Sequence, residues 1–202
     1  MKRVLEPELM LGTEQCNEFN QVSHRQYSNG KFIESYKKYC DLTYGTLIDL
    51  GSGPAVHLEV MRNYFPNLSI IGYENSDAML LLAKQNTSVE VRKADFNTVT
   101  DIADGVMCLY TLHHQADPIV FWSTVSRLSR GWIYIEDLER PETEEMFSLF
   151  NTVDDFKHSL RAAFTLDEVK DQLSKLGLNY IAVREPIDVD KKLYKLVVYQ
   201  KM

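Results

Sequence analysis

The sequence predicts an α/β fold in which a mostly parallel sheet carries helices on both faces and ends in an antiparallel hairpin. Three observations lead there. Short β-prone runs recur at 46–50, 69–73, 89–92, 105–110 and 132–136, each separated by enough chain for a helix. Crossovers of that kind join parallel strands. The first run passes directly into Asp49-Leu50-Gly51-Ser52-Gly53-Pro54-Ala55, a glycine turn of the type that opens a ligand site at the carboxyl edge of such a sheet. Two final β-prone runs, 180–184 and 193–200, flank a polar turn near Asp188-Val189-Asp190-Lys191-Lys192 and read as a hairpin.

Taken in order, residues 1–45 show helical spacing around Phe19-Asn20-Gln21-Val22 and Phe32-Ile33-Glu34-Ser35-Tyr36, with Ser28-Asn29-Gly30 as a break, and are expected to form a helical flank or lid. Residues 46–202 are expected to form the ligand-binding domain, with the whole chain one compact unit. Between the strands, 56–65 is helical and halted by Pro66, 77–85 is helical with Ser76 as N-cap, and 118–128 is helical with Pro118 in its first turn. After the fifth strand, 141–149 and 154–164 read as helices, and Thr165 caps another that Gly177 ends.

Twenty-two basic against 29 acidic residues give a net charge of −7, so a nucleic-acid partner is not expected. Three cysteines without CxxC spacing fit a reducing compartment better than disulfides or a structural zinc. The amino end has no apolar run of signal-peptide length, and no stretch reaches membrane-spanning length. A soluble cytoplasmic protein is the expectation.

Gly51 and Gly53 remove the β-carbons that would hold a ligand off the backbone, and the helix that follows offers free N–H groups. Glu74, at the end of the second strand and 21 residues beyond Gly53, can accept both hydroxyls of a ribose. Asp95 follows the third strand, where a carboxylate can accept from an exocyclic amine while Phe96 supplies apolar contact. Met79 packs either on a base or in the core.

With Asp49, Gly51, Gly53, Glu74 and Asp95 in order at strand ends, residues 40–202 resemble the class I S-adenosylmethionine-dependent methyltransferases. The family's D/E-x-G-x-G-x-G turn corresponds to 49–55, with Ala55 in place of the third glycine. Its second-strand acid corresponds to Glu74, its third-strand acid and hydrophobe to Asp95-Phe96, and its terminal hairpin to 180–200. The resemblance implies a Rossmann-like three-layer sandwich with a seven-stranded sheet. It also implies a cofactor site drawn from Asp49, Gly51, Ser52, Gly53, Glu74, Asn75, Met79, Asp95, Phe96 and Leu109, with S-adenosylmethionine entering and S-adenosylhomocysteine leaving.

The loop after the fourth strand, Thr111-Leu112-His113-His114-Gln115, borders the acceptor pocket in that family, and one of His113 and His114 could take a proton from an acceptor hydroxyl or amine. The pair with Asp117 does not make a metal site by spacing, because adjacent residues seldom converge on one ion and no third ligand is evident. Asp137 and Arg140, after the fifth strand, are expected at the pocket rim as substrate residues, and Tyr27 and Arg25 on the helical flank as lining of the transfer channel or a partner for the cofactor carboxylate.

The resulting expectation is methyl transfer by in-line displacement to a small-molecule acceptor, by a monomer or homodimer. A nicotinamide-dependent oxidoreductase shares the glycine turn and the following acid, but the third glycine of G-x-G-x-x-G would fall at Val56. A non-catalytic cofactor-binding module is the other alternative, since fold alone does not secure activity.

Overall fold

The computed structural model describes residues 1–6, 12–28, 30–150, 154–190 and 192–200. Strands β1 (Gly45–Leu50), β2 (Leu68–Glu74), β3 (Glu90–Lys93), β4 (Ala103–Leu109), β5 (Ser129–Leu138), β6 (Ile181–Asp188) and β7 (Leu193–Gln200) form one sheet in the order β3-β2-β1-β4-β5-β7-β6. β1 to β5 are parallel, and β7 runs antiparallel to both β5 and β6. The strand order reverses between β1 and β4, which sets a crevice at their carboxyl ends.

Alternation along the central strands explains the three layers. Leu47, Met107, Leu109 and Tyr134 face one core, and Ile48, Leu50, Val106, Cys108, Ile133 and Ile135 face the other. Because both faces are buried, these strands read as near-continuous apolar runs. The first core is covered by α2 (Lys31–Tyr39) and α3 (Val56–Tyr64), through Phe32, Ile33, Tyr36, Leu58 and Met61. The second is covered by α5 (Pro118–Leu128) and α8 (Leu166–Lys175), through Phe121, Trp122, Val125, Leu128, Val169 and Leu173.

The caps follow the sequence. Ser76 accepts from Met79 N at the start of α4 (Asp77–Asn86), Asp117 accepts from Ile119 N at α5, and Thr165 with Glu168 forms a capping box on α8. Gly177, at φ +65°, follows α8 as the terminating residue. The flank forms α1 (Thr13–Tyr27) and α2, and α6 (Glu144–Ser148) and α7 (Asp154–Ala162) fill the stretch after β5. Asn29 of the expected break and Lys191 of the expected turn lie outside the described residues.

One interval departs from the expected alternation. Between β3 and β4 the chain forms only a 3-10 turn, Phe96–Thr98, rather than a helix. A cavity of about 290 Å³ opens at the amino half of these strands, lined by residues that include Ile48, Ile71, Arg92 and Asp101. It lies at the opposite end of the strands from the glycine turn. Among the described residues, no helix is long and apolar enough to cross a membrane.

Candidate functional site

The glycine turn is tied to β2 by its own backbone: Gly51 N and Ser52 N both donate to Tyr73 O, at 2.8 and 3.0 Å. Gly51 has φ +76°, and a β-carbon there would come within 2.8 Å of Thr111 Cγ2, so no larger residue fits without displacing the β4 loop. Gly53 has φ +52° but a β-carbon would meet only Phe19 Cε1 at 3.7 Å, which makes it the open position of the turn. Ser52 is buried, with Oγ donating to Asp49 O at 3.4 Å.

Ala55 takes φ 56° as N-cap of α3. The left-handed conformation costs an L-residue about 1–2 kcal/mol, which gives the physical reason for the glycine usual there. Ala55 is also fully buried, so Ala55→Gly exchanges relief of that strain for a lost methyl worth about 0.8 kcal/mol and for added unfolded-chain entropy of similar size. The expected net change is within about 0.5 kcal/mol of zero. Ala83→Gly, at an equally buried position inside α4, is expected to cost about 2 kcal/mol. Urea unfolding of both variants checks the contrast, and equal losses would remove the strain argument.

Glu74 spans the site. Its Oε2 accepts from Gly53 N at 2.8 Å, and its Oε1 accepts from Asn75 N and Ser76 N at 2.8 and 2.7 Å. Three backbone donors leave the carboxylate with lone-pair capacity on Oε2. Asn75 is exposed beside it. Asp95 Oδ1 caps the 3-10 turn by accepting from Asn97 N at 2.9 Å, and Phe96 is half-buried against Phe121, with centroids 6.0 Å apart. Leu109, the last residue of β4, is buried in the first core.

Helix α1 lies over this edge. Cys16 packs with Met79 and Leu82 of α4, and Asn86 Nδ2 donates to both Asn20 Oδ1 and Pro54 O at 2.8 and 2.7 Å. Met79 is thus buried between helices. Arg25 is exposed. Tyr27, at the end of α1, is buried against Phe32 and His57, at centroid distances of 5.5 and 5.3 Å.

Sequence reasoning missed a buried cluster beneath α1. Asp49 Oδ2 contacts His57 Nε2 at 3.0 Å, while Asp49 Oδ1 is buried with no hydrogen-bond partner. Tyr110 follows β4 with φ 53°, a strained conformation for an aromatic residue, and its N donates to Glu136 O at 2.7 Å. Burial, then Glu136 and Asp49, raises the Tyr27 phenol well above its ordinary pKa; burial, then Glu136 and Tyr27, does the same for Tyr110. Both phenols therefore keep their protons. Glu136 is buried and is held by Tyr134 Oη and by Lys195 Nζ at 2.8 Å. The available signals were weak ones: a histidine in the first turn of α3, and an aromatic residue directly after a strand.

His113 and His114 sit on a 3-10 turn, Leu112–His114. Asp137 does not reach the pocket rim: it is buried, with Oδ1 at 2.6 Å from His113 Nδ1 and accepting from Leu138 N at 2.7 Å, and Oδ2 accepting from His113 N at 2.9 Å. Arg140 is likewise interior, donating to Met1 O and Ala163 O at 3.1 and 2.7 Å and pairing with Glu168 at 2.5 Å. The sequence pattern could not show that the end of β5 and the residues just after it are covered by α7, α8 and residues 1–6.

That covering segment is anchored by Arg3, which donates to Ala162 O at 2.6 Å, His113 O at 2.9 Å and Gln115 O at 2.8 Å, with its guanidinium 3.9 Å over the Phe164 ring. Glu6 then faces both histidines. Burial works to lower the His113 pKa, but Asp137 and Glu6 outweigh it and leave the imidazole above its ordinary value. Burial works to raise Glu6, and the neighbouring imidazoles with Ser159 hold it below the usual carboxylate range.

The chain is similar in fold to several solved structures. A SAM-dependent methyltransferase from Aquifex aeolicus matches with a TM-score of 0.67 at 15% identity, covering 94% of this chain and 99% of that one. The putative methyltransferase in complex with the Trm112 activator from Haloferax volcanii matches with a TM-score of 0.70 at 13% identity, covering 93% and 96%. The magnesium protoporphyrin IX methyltransferase of Synechocystis with bound SAH matches with a TM-score of 0.65 at 14% identity, covering 96% and 90%. No curated protein sequence matches the chain. The family model described as a methyltransferase domain matches residues 22–183, a span from the end of α1 into β6 that includes the glycine turn, Glu74 and the histidine loop. The chain belongs to that methyltransferase-domain family.

Proposed function

We propose that this protein is an S-adenosylmethionine-dependent methyltransferase acting on a small-molecule acceptor. One observation carries the reading: two carboxylates converge on the glycine turn, and each has capacity left for a ligand. Glu74 reaches Gly53 N with lone pairs to spare, and Asp49 keeps a buried oxygen without a donor. A ligand with a vicinal diol and an ammonium group satisfies both, and S-adenosylmethionine carries both. A hydride carrier such as NADH offers a diol but no ammonium for Asp49.

When bound, S-adenosylmethionine supplies a methyl group on a cationic sulfur. In this reading Glu74 holds the ribose, Asp95 and Phe96 address the base, and Gly51 and Gly53 admit the methionine portion to the backbone. Tyr27 at the end of α1 and Tyr110 after β4, both protonated, orient the acceptor, and α1 excludes water. No base is assigned to His113, since its Nδ1 is committed to Asp137 and its Nε2 faces Glu6. Alignment of the acceptor with the methyl group is then the main source of acceleration. The net charge of −7 favours a small acceptor over nucleic acid. Three buried free thiols fit a cytoplasmic setting, as monomer or homodimer.

Calorimetric titration with S-adenosylhomocysteine is expected to show one site of micromolar affinity. Absence of heat at millimolar ligand, or tighter binding of NADH in a parallel fluorescence titration, would overturn the reading.

A further inference from the structure

Apart from the glycine turn, one cluster has the composition of a metal centre. Glu6, His113 and His114 bring a carboxylate oxygen and two imidazole nitrogens within 4.8 Å of one another. Glu6 Oε2 lies 2.7 Å from His114 Nδ1 and 3.7 Å from His113 Nε2. It is buried and makes no hydrogen bond of regular geometry. Ligand atoms on a tetrahedral zinc, with bonds of about 2.0–2.1 Å, sit about 3.3 Å apart. The two observed separations bracket that spacing.

Asp137 supplies what a metal-bound imidazole needs from behind. By accepting from His113 at Nδ1 it leaves the lone pair at Nε2, on the side of Glu6. A carboxylate in that position orients the ring and raises its basicity toward a metal. Adjacent histidines converge here because the 3-10 turn stacks their rings, with centroids 4.1 Å apart and planes tilted by 37°. Glu6, far away in sequence, is the third ligand that spacing could not reveal. Glu6 and Asp137 together also balance the charge of a dication.

We propose that Glu6, His113 and His114 form a binding site for a divalent transition metal, zinc being the best match. Two imidazoles and one carboxylate suit zinc and its neighbours in the first row, whereas magnesium and calcium take oxygen ligands. Three protein ligands leave one tetrahedral position for water. The ion would fasten residues 1–6 to the loop after β4.

The test is titration of tag-free, chelator-treated full-length protein with cobalt(II), followed by displacement with zinc. One equivalent is expected to produce the visible absorption of four-coordinate cobalt without a thiolate charge-transfer band, unaffected by excess magnesium. Glu6→Gln and His114→Gln are each expected to weaken binding at least tenfold, and Asp137→Asn about tenfold through His113, with circular dichroism confirming that each variant is folded. No absorption at tenfold excess cobalt, a thiolate band, or affinity unchanged in both ligand variants would overturn the proposal. None of these readouts depends on S-adenosylmethionine.

Discussion

Asp137→Ala is expected to lower folding stability by about 3–5 kcal/mol. Asp137 is 2% exposed and accepts from the His113 backbone, the His113 ring and its own neighbour Leu138 N. Alanine removes both acceptor oxygens and all three hydrogen bonds at once, and leaves His113, 3% exposed, as a buried polar ring without its partner. Breaking a buried pair from one side is costly because the remaining group can be neither solvated nor re-paired. Asp137→Asn keeps one acceptor oxygen and the side-chain volume, and is expected to lose less than half as much. Urea unfolding monitored by fluorescence measures both. A loss below about 1 kcal/mol for alanine would mean that the carboxylate is solvated and that the loop is held by Arg3 and Glu6 alone.

Glu74→Ala is expected to weaken S-adenosylhomocysteine binding about 10- to 100-fold, since hydrogen bonds to a charged group contribute about 1.5–3 kcal/mol each. The carboxylate has two functions here. It would hold the ligand, and it already holds the turn, through Gly53 N on one oxygen and Asn75 N and Ser76 N on the other. Those amides are near solvent, so the folded state should lose only about 1 kcal/mol. A large affinity change with a small stability change is the signature of a ligand contact. Calorimetry on the alanine and glutamine variants, set against their unfolding curves, separates the two effects, and unchanged affinity would refute the ribose assignment.

The parallel sheet was legible because its strands are apolar on both faces and its helices carry local signals: Ser76 and Thr165 accept from the backbone as their positions implied, and Pro118 opens α5, where Asp117 adds a cap that the sequence reading did not name. The missing helix between β3 and β4 was not predicted, because a gap long enough for a helix does not oblige one to form. At the site, Gly51, Gly53 and Glu74 were readable since each meets a backbone requirement fixed within β1 and β2. Asp137 and Arg140 were not, since what buries them comes from α7, α8 and residues 1–6. Tyr110 and His57 escaped notice for a related reason: a strained φ and a buried carboxylate partner are products of tertiary packing and leave no periodic trace.

The anchoring of residues 1–6 bears on the order in which the molecule is completed. Arg3 precedes the carbonyls it needs by 110, 112 and 159 residues along the chain. Contacts of such separation form after local ones, and a chain emerging from the ribosome cannot make them until its later helices exist. Seating of this segment therefore waits until the chain has been made as far as Ala162. Until α7 has docked, Glu6 lacks its Ser159 contact, so a nascent chain long enough to pair β1 to β5 still waits to close its histidine loop, and waits longer still for β6 and β7.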